Sequence, residues 1–266
     1  MTTFIRIEDI SDPRLDDYRG MRDPARRSRS EPEGGFFVAE GVFVIERLLG
    51  SSLQPRSLLL TEAKAKRLEP ALQQVSAPVY LVDRDQMHGI VGFDLHRGAL
   101  ASANRPGEPG TDVLDGLGSV CILEGLNDHE NLGAVLRSAV ALGVEAVILD
   151  PTCADPWYRR SVRVSMGAVF DVPIVRDADW PRSLSALSSL GFRVVAMTVG
   201  EHAVPITEVD AGGPTAVMLG AEGAGLSDGA VALADVEVSI PIAEGIDSLN
   251  VGHAAAIAFH HFCVRP

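Results

Sequence analysis

Short apolar, β-branched runs closed by Gly, Asp or Pro recur through the second part of the chain, at Val120–Leu123, Ala146–Leu149, Val172–Val175, Val194–Met197, Ala216–Leu219 and Val236–Ile240. Runs of this length and composition predict strands. Between several of them apolar positions recur at helical spacing: Leu132–Leu142 carries them at 132, 135, 136, 139 and 142, and Trp180–Leu190 has a similar pattern. Strands alternating with helices predict an α/β fold with a mostly parallel sheet and helices on both faces. Ligands bind such sheets outside the carboxyl ends of the strands. Earlier in the chain, candidate strands at Ser57–Leu60 and Val79–Val82 alternate with helical patterns at Val42–Leu49 and Ala63–Gln74, which predicts a smaller α/β layer. A Pro/Gly/polar stretch, Asn104 to Asp112, separates the two parts. The expected organisation is a first domain over 1–103, a linker over 104–116 and a second domain over 117–266.

Composition adds limits. With 266 residues, 46% of them hydrophobic, the chain can bury an ordinary core. The N-terminus carries Arg6, Glu8 and Asp9 where a secretory signal needs apolar residues, and no segment has the apolar length of a membrane span, so a cytoplasmic protein without membrane contact is expected. Cys121, Cys153 and Cys263 are odd in number and far apart, which favours neither disulfides nor zinc. His260 and His261 have no evident ligand partner, so no metal is expected. The net charge of -13 argues against nucleic acid only until it is mapped. The first 105 residues hold 15 basic and 15 acidic side chains, and the rest hold 8 against 21. Within the neutral part Arg19, Arg22, Arg26, Arg27 and Arg29 cluster around the single acid Asp23, a pattern that suits phosphates or a solvated arm. Aromatic content of 5% leaves few platforms for splayed bases and favours recognition of shape and phosphate.

Candidate chemistry lies in three segments, each where a strand gives way to a helix. The first is Asn131-Leu132-Gly133, with Arg137 one turn beyond Gly133 and Asp128 placed to cap the helix. An arginine there can grip a phosphate or hold a charge beside a reacting hydroxyl, or it is an ordinary surface residue. The second, Gly220-Ala221-Glu222-Gly223-Ala224-Gly225-Leu226-Ser227, lets backbone approach a planar ligand, or is a simple glycine turn. Its spacing, Gly223-x-Gly225-x-x-x-Gly229, is one residue longer than a dinucleotide fingerprint and lacks the usual first βαβ unit, so a nucleotide-dependent oxidoreductase is the weaker reading. The third is Ser248-Leu249-Asn250 before an Ala-rich helix over Asn250–Val264. Ser248 or Asn250 can cap that helix, and either can orient a hydroxyl.

In order and spacing these segments resemble motifs one, two and three of the SpoU/TrmH family of RNA ribose methyltransferases, in the SPOUT class. Asp155 to Arg160 and Ser165 to Ala168 are similar to a further family stretch. Gly34–Leu49 and His96–Ala101 resemble the family's N-terminal substrate-binding domain, a ribosomal-protein-like RNA-binding fold. The resemblance implies a trefoil-knotted C-terminal domain, a homodimer with its site near the interface, and methyl transfer from S-adenosylmethionine to a ribose 2′-hydroxyl of rRNA or tRNA, with rRNA favoured. It carries catalytic roles onto Asn131, Arg137, Glu222, Ser248 and Asn250, and cofactor contacts onto Gly220, Ile240 and Leu249. In the family the motif-one arginine is proposed as the base; a charged guanidinium suits electrostatic stabilisation better. A non-catalytic RNA-binding protein on the same fold is the other reading. Where many members continue with Ser or Ala after motif three, this chain has Gly252 and His253, and a glycine near a helix start predicts looser packing there.

Overall fold

Each apolar run named above overlaps a strand in the computed structural model, which describes residues 2–23, 30–95, 98–200 and 202–264. In chain order the elements are β1 (Phe4–Arg6), β2 (Phe36–Glu40), α1 (Val42–Gly50), β3 (Pro55–Thr61), α2 (Glu62–Leu72), β4 (Val79–Val82), α3 (Arg84–Val91) and β5 (Ala99–Asn104). They continue with β6 (Ser119–Leu123), α4 (His129–Ala141), β7 (Ala146–Leu149), α5 (Arg159–Val164), β8 (Ile174–Arg176), α6 (Leu184–Ser189) and β9 (Arg193–Met197). The last are β10 (Val204–Pro205), β11 (Thr215–Leu219), α7 (Asp228–Val231), β12 (Val236–Ser239) and α8 (Val251–Phe262). The chain divides into one unit made of Met1–Gly107 with Pro156–Phe170, and a second made of Glu108–Asp155 with Asp171–Pro266.

The first unit is a five-stranded mixed sheet ordered β1-β4-β3-β5-β2. Its first three strands pair in parallel, and β5 runs antiparallel to both β3 and β2. Tyr18 anchors the core: fully buried, it donates to the Ser57 carbonyl at 2.8 Å and accepts from the Ser102 N–H at 3.2 Å, so its hydroxyl is satisfied. The segment Pro156–Phe170 joins this unit through Trp157, whose ring centroid lies 5.2 Å from Phe37 and 6.4 Å from Phe170. Buried Glu40 pairs there with Arg159 and, at 3.6 Å, with Arg163, which offsets the cost of burying its charge. Of the basic cluster, Arg26, Arg27 and Arg29 lie outside the described residues, as do His96 and Arg97. Arg19 is turned inward: it bonds Asp16 at 3.0 Å and the carbonyls of Ile10 and Asp12, so it braces the local turn.

The second unit is a seven-stranded sheet ordered β10-β12-β9-β11-β6-β7-β8, and every pairing in it is parallel. The central strands β6, β7 and β11 are buried at every position, which is why they read as unbroken apolar runs instead of alternating ones. The chain steps outward from β6 through β7 to β8, crosses to β9, and later inserts β11 between β9 and β6. That reversal puts the carboxyl ends of β6 and β11 side by side, with β9 and β12 beyond β11. On one flank α4 packs against α8. A Cβ on Gly252 would lie 3.1 Å from the Ala134 Cβ, so this glycine brings α8 close to α4. The looser packing expected there is reversed: the missing side chain is what admits Ala134.

Candidate active site

Motif one begins at the carboxyl end of β6. Asp128 caps α4, accepting from the N–H groups of Glu130 and Asn131, both at 2.8 Å, and so fixes Asn131 in the first turn. Motif two leaves β11 at Gly220. A Cβ there would lie 2.2 Å from the Gly225 carbonyl carbon and 2.3 Å from the Leu226 nitrogen, closer than any side chain tolerates. The loop folds back on its own start, closed by the Gly225 N–H donating to the Ala221 carbonyl at 2.9 Å, with Gly223 and Gly225 at φ of 89° and 70°. Motif three follows β12 and ends at Asn250, immediately before α8.

The three segments meet at the Asn250 amide. Its oxygen accepts from the Gly252 N–H at 2.9 Å, capping α8. A backbone N–H can only donate, so this bond fixes the oxygen on the helix side and turns the NH₂ outward. The NH₂ then donates to Asn131 Oδ1 at 2.9 Å and to Glu222 Oε1 at 2.8 Å. Asn131, Glu222 and Asn250, one from each motif, are therefore brought into direct contact. The sequence alternatives of cap or site residue are both true of Asn250, whereas Ser248 makes no cap bond.

Beside this triad lies a pocket of about 490 Å³, within the usual range for small-ligand sites. Gly220, Glu222, Ile240, Ser248 and Leu249 all line it, as do Gly225 and Leu226. Its walls are mostly apolar, and its polar groups come chiefly from loop backbone and from Glu222, Asp247 and Ser248. Arg137 stands apart: it is exposed on α4, about 9 Å further along the helix axis than Asn131. It lines no part of this pocket and has no hydrogen-bond or ion-pair partner among the described residues. None of the cysteines offers a nucleophile, for all three are buried. Burial and the nearby Asp150 push the Cys153 thiol up to about 12, and burial raises Cys121 well above its ordinary range. Sequence reasoning missed Glu124, which receives Trp180 and Ser227 at the mouth of motif two. Its signal was an acid directly after an apolar strand.

A parallel α/β sheet with a small-ligand-sized pocket at the carboxyl ends of β9, β11 and β12 defines a class of α/β ligand-binding fold, and similarity to known proteins makes that class specific. The chain belongs to the SpoU rRNA Methylase family, which it matches over residues 118–260. It is 44% identical over 256 residues to an uncharacterized tRNA/rRNA methyltransferase of Mycobacterium tuberculosis, covering 95% of this chain and 89% of that protein. It is 25% identical to the 23S rRNA (guanosine(2553)-2′-O)-methyltransferase of Bacillus subtilis, covering 96% of this chain and 98% of the relative. Among solved structures it is similar to the AdoMet-bound rRNA methyltransferase from Sinorhizobium meliloti, with 25% identity, a TM-score of 0.80 and 97% of both chains covered. The fold is the mostly parallel, trefoil-knotted α/β fold of the SPOUT methyltransferases.

The cap bond and the pocket position separate the two polar residues of motif three. Asn250→Ala removes the α8 cap and is expected to cost about 0.5–2 kcal/mol in thermal or denaturant unfolding, whereas Ser248→Ala leaves stability unchanged within experimental error.

Proposed function

We propose that this chain transfers a methyl group from S-adenosylmethionine to a ribose 2′-hydroxyl of RNA, with ribosomal RNA the favoured substrate. The observation that carries the reading is the contact of Asn131, Glu222 and Asn250 at the rim of a pocket lined by Gly220, Ile240 and Leu249. The pocket suits the cofactor: its apolar walls take an adenine and ribose, its loop backbone supplies donors and acceptors, and the space a Gly220 side chain would fill belongs to the folded-back loop. Gly220, Ile240 and Leu249 are the residues that would hold it. Bound there, S-adenosylmethionine supplies a methyl group already activated by its sulfonium.

The harder half of the reaction is the acceptor, because a ribose hydroxyl is scarcely ionised at neutral pH. Asn250 is held rigidly by three hydrogen bonds, so Asn131 and Glu222 present fixed polar atoms to an incoming hydroxyl. Ser248 adds a neutral donor and acceptor beside them. The family resemblance gives Arg137, which stands apart from the pocket on α4, the task of supplying positive charge for the oxygen that loses its proton or for the phosphate next to it. Arg137 has no partner among the described residues to give up in doing so. Nothing in the site favours the oxidoreductase reading, whose glycine loop is here folded against its own backbone.

The N-terminal unit is the RNA-binding part in this reading. A cavity of about 290 Å³ on it is lined by Thr61, Lys64, Arg84 and Gly98 together with one acid, Asp94, and neither Lys64 nor Arg84 has a partner among the described residues. Two such cations suit phosphates of a folded RNA. The working form is a homodimer. Supporting it, α8 exposes Ile257 at 41% on the same stripe as His253 and His260. The protein acts in the cytoplasm, and no helix among its described residues is long and apolar enough to cross a membrane.

Purified protein is expected to methylate ribosomal RNA in preference to transfer RNA; the opposite preference reassigns the substrate. Arg137→Ala abolishes turnover while calorimetry shows cofactor affinity within about twofold of wild type, and lost affinity contradicts the role given to Arg137. Ile257→Glu places a charge in the proposed dimer contact, so light scattering is expected to show a shift from dimer to monomer.

A further inference from the structure

Glu124 lies outside the pocket and belongs to none of the three motifs, yet its carboxylate ties two distant segments to the end of β6. Its backbone N–H donates to the Leu219 carbonyl at 3.0 Å, which extends the β6–β11 pairing by one residue and anchors the side chain to the sheet. Oε1 accepts from the Trp180 indole N–H at 2.6 Å and from the Ser227 hydroxyl at 2.7 Å. Oε2 accepts from the Ser227 N–H at 2.8 Å. The Ser227 hydroxyl in turn accepts from the Ala230 N–H at 3.3 Å while donating to Glu124.

These bonds close the far end of motif two. At the near end, Gly220 sits against the backbone of Gly225 and Leu226. At the far end, Ser227 is bound to Glu124 through both its backbone and its side chain. Gly225 and Leu226, the pocket-lining residues between, are bracketed by these two contacts. Trp180 packs on the core of the second unit and offers a donor from a fixed direction, which orients the carboxylate.

We infer that Glu124 is a positioning residue for the cofactor: it acts through Ser227 to hold Gly225 and Leu226 at the pocket wall. The inference rests on the pocket being the S-adenosylmethionine site. A carboxylate is required because all three groups facing it are donors, and only an acceptor at both oxygens satisfies them. Glutamine matches the shape and fails the chemistry. In either orientation its NH₂ meets a group that can only donate, the Ser227 N–H or the Trp180 indole N–H, and that bond is lost; the Ser227 hydroxyl alone can turn and accept.

The test is calorimetric titration of the full-length protein with S-adenosylmethionine, for wild type, Glu124→Gln, Ser227→Ala and the double variant, alongside thermal unfolding without cofactor. Glu124→Gln is expected to raise the cofactor Kd about tenfold, as befits a lost charge-assisted hydrogen bond, and Ser227→Ala about threefold, since its N–H bond survives. The double variant is expected to be little worse than Glu124→Gln alone, because both changes break one linkage. Unchanged Kd in Glu124→Gln, or additive effects in the double variant, overturns the inference and leaves Glu124 a brace of the fold. Should Glu124→Gln fail to fold, an unchanged Kd in Ser227→Ala decides against it equally. Absence of binding by the wild type instead overturns the cofactor reading itself.

Discussion

Asn250 has one acceptor and two donors, and the structure spends each of them on a different segment. Its oxygen caps α8, and its NH₂ joins Asn131 from motif one to Glu222 from motif two. Remove the cap and the amide is free to turn; turn the amide and its oxygen faces the Glu222 carboxylate. The order of events matters physically. Helix capping comes from local sequence, and the site geometry follows from it at no extra conformational cost. An enzyme that must align two reactants gains from groups fixed in this way before the substrate arrives.

The parallel sheet makes that meeting possible. Because every pairing in the second unit is parallel, the loops after β6, β11 and β12 all emerge on one side. Placing β11 next to β6 then brings motifs one and two within one strand spacing, although they are far apart in sequence. Glycine is used at two points of real constraint. Gly220 permits the motif-two loop to lie on its own backbone, and Gly252 permits α8 to approach α4 at Ala134. At Gly220 there is room for hydrogen and nothing more, while at Gly252 a methyl would be tight against Ala134. The site is thus built by close backbone approach, with polar side chains added at its edge.

Much of this was legible in the sequence. The strands of the second unit could be read because burial on both faces gives unbroken apolar runs, and α4 and α8 because their caps, Asp128 and Asn250, stand where caps should. The motif residues could be located by their order and spacing, which resemble the family's three motifs; taken singly, each reads equally as a cap, a surface residue or a glycine turn. Other features were hidden for definite reasons. Strand β2 carries no alternation, and β5 is a run of small residues, Ala99 to Asn104, with weak strand character of its own. The packing of Pro156–Phe170 with the first unit depends on Trp157 meeting Phe37, a contact between residues 120 positions apart. Gly252 was misread because a helical glycine weakens the isolated helix, whereas here tertiary packing against Ala134 decides its role. Glu124 carried only the weak signal of an acid after an apolar strand, because its partners, Trp180 and Ser227, are brought to it only by the fold.

The central claim is that these three loops hold a methyl donor against a ribose hydroxyl. The most direct measurement is to incubate the protein with ribosomal RNA and S-adenosylmethionine labelled in its methyl group, then digest the RNA with alkali. A methyl on the 2′-oxygen blocks cleavage at the neighbouring phosphate, so the account predicts label in alkali-resistant dinucleotides. Label released in mononucleotides, on a base, would contradict it.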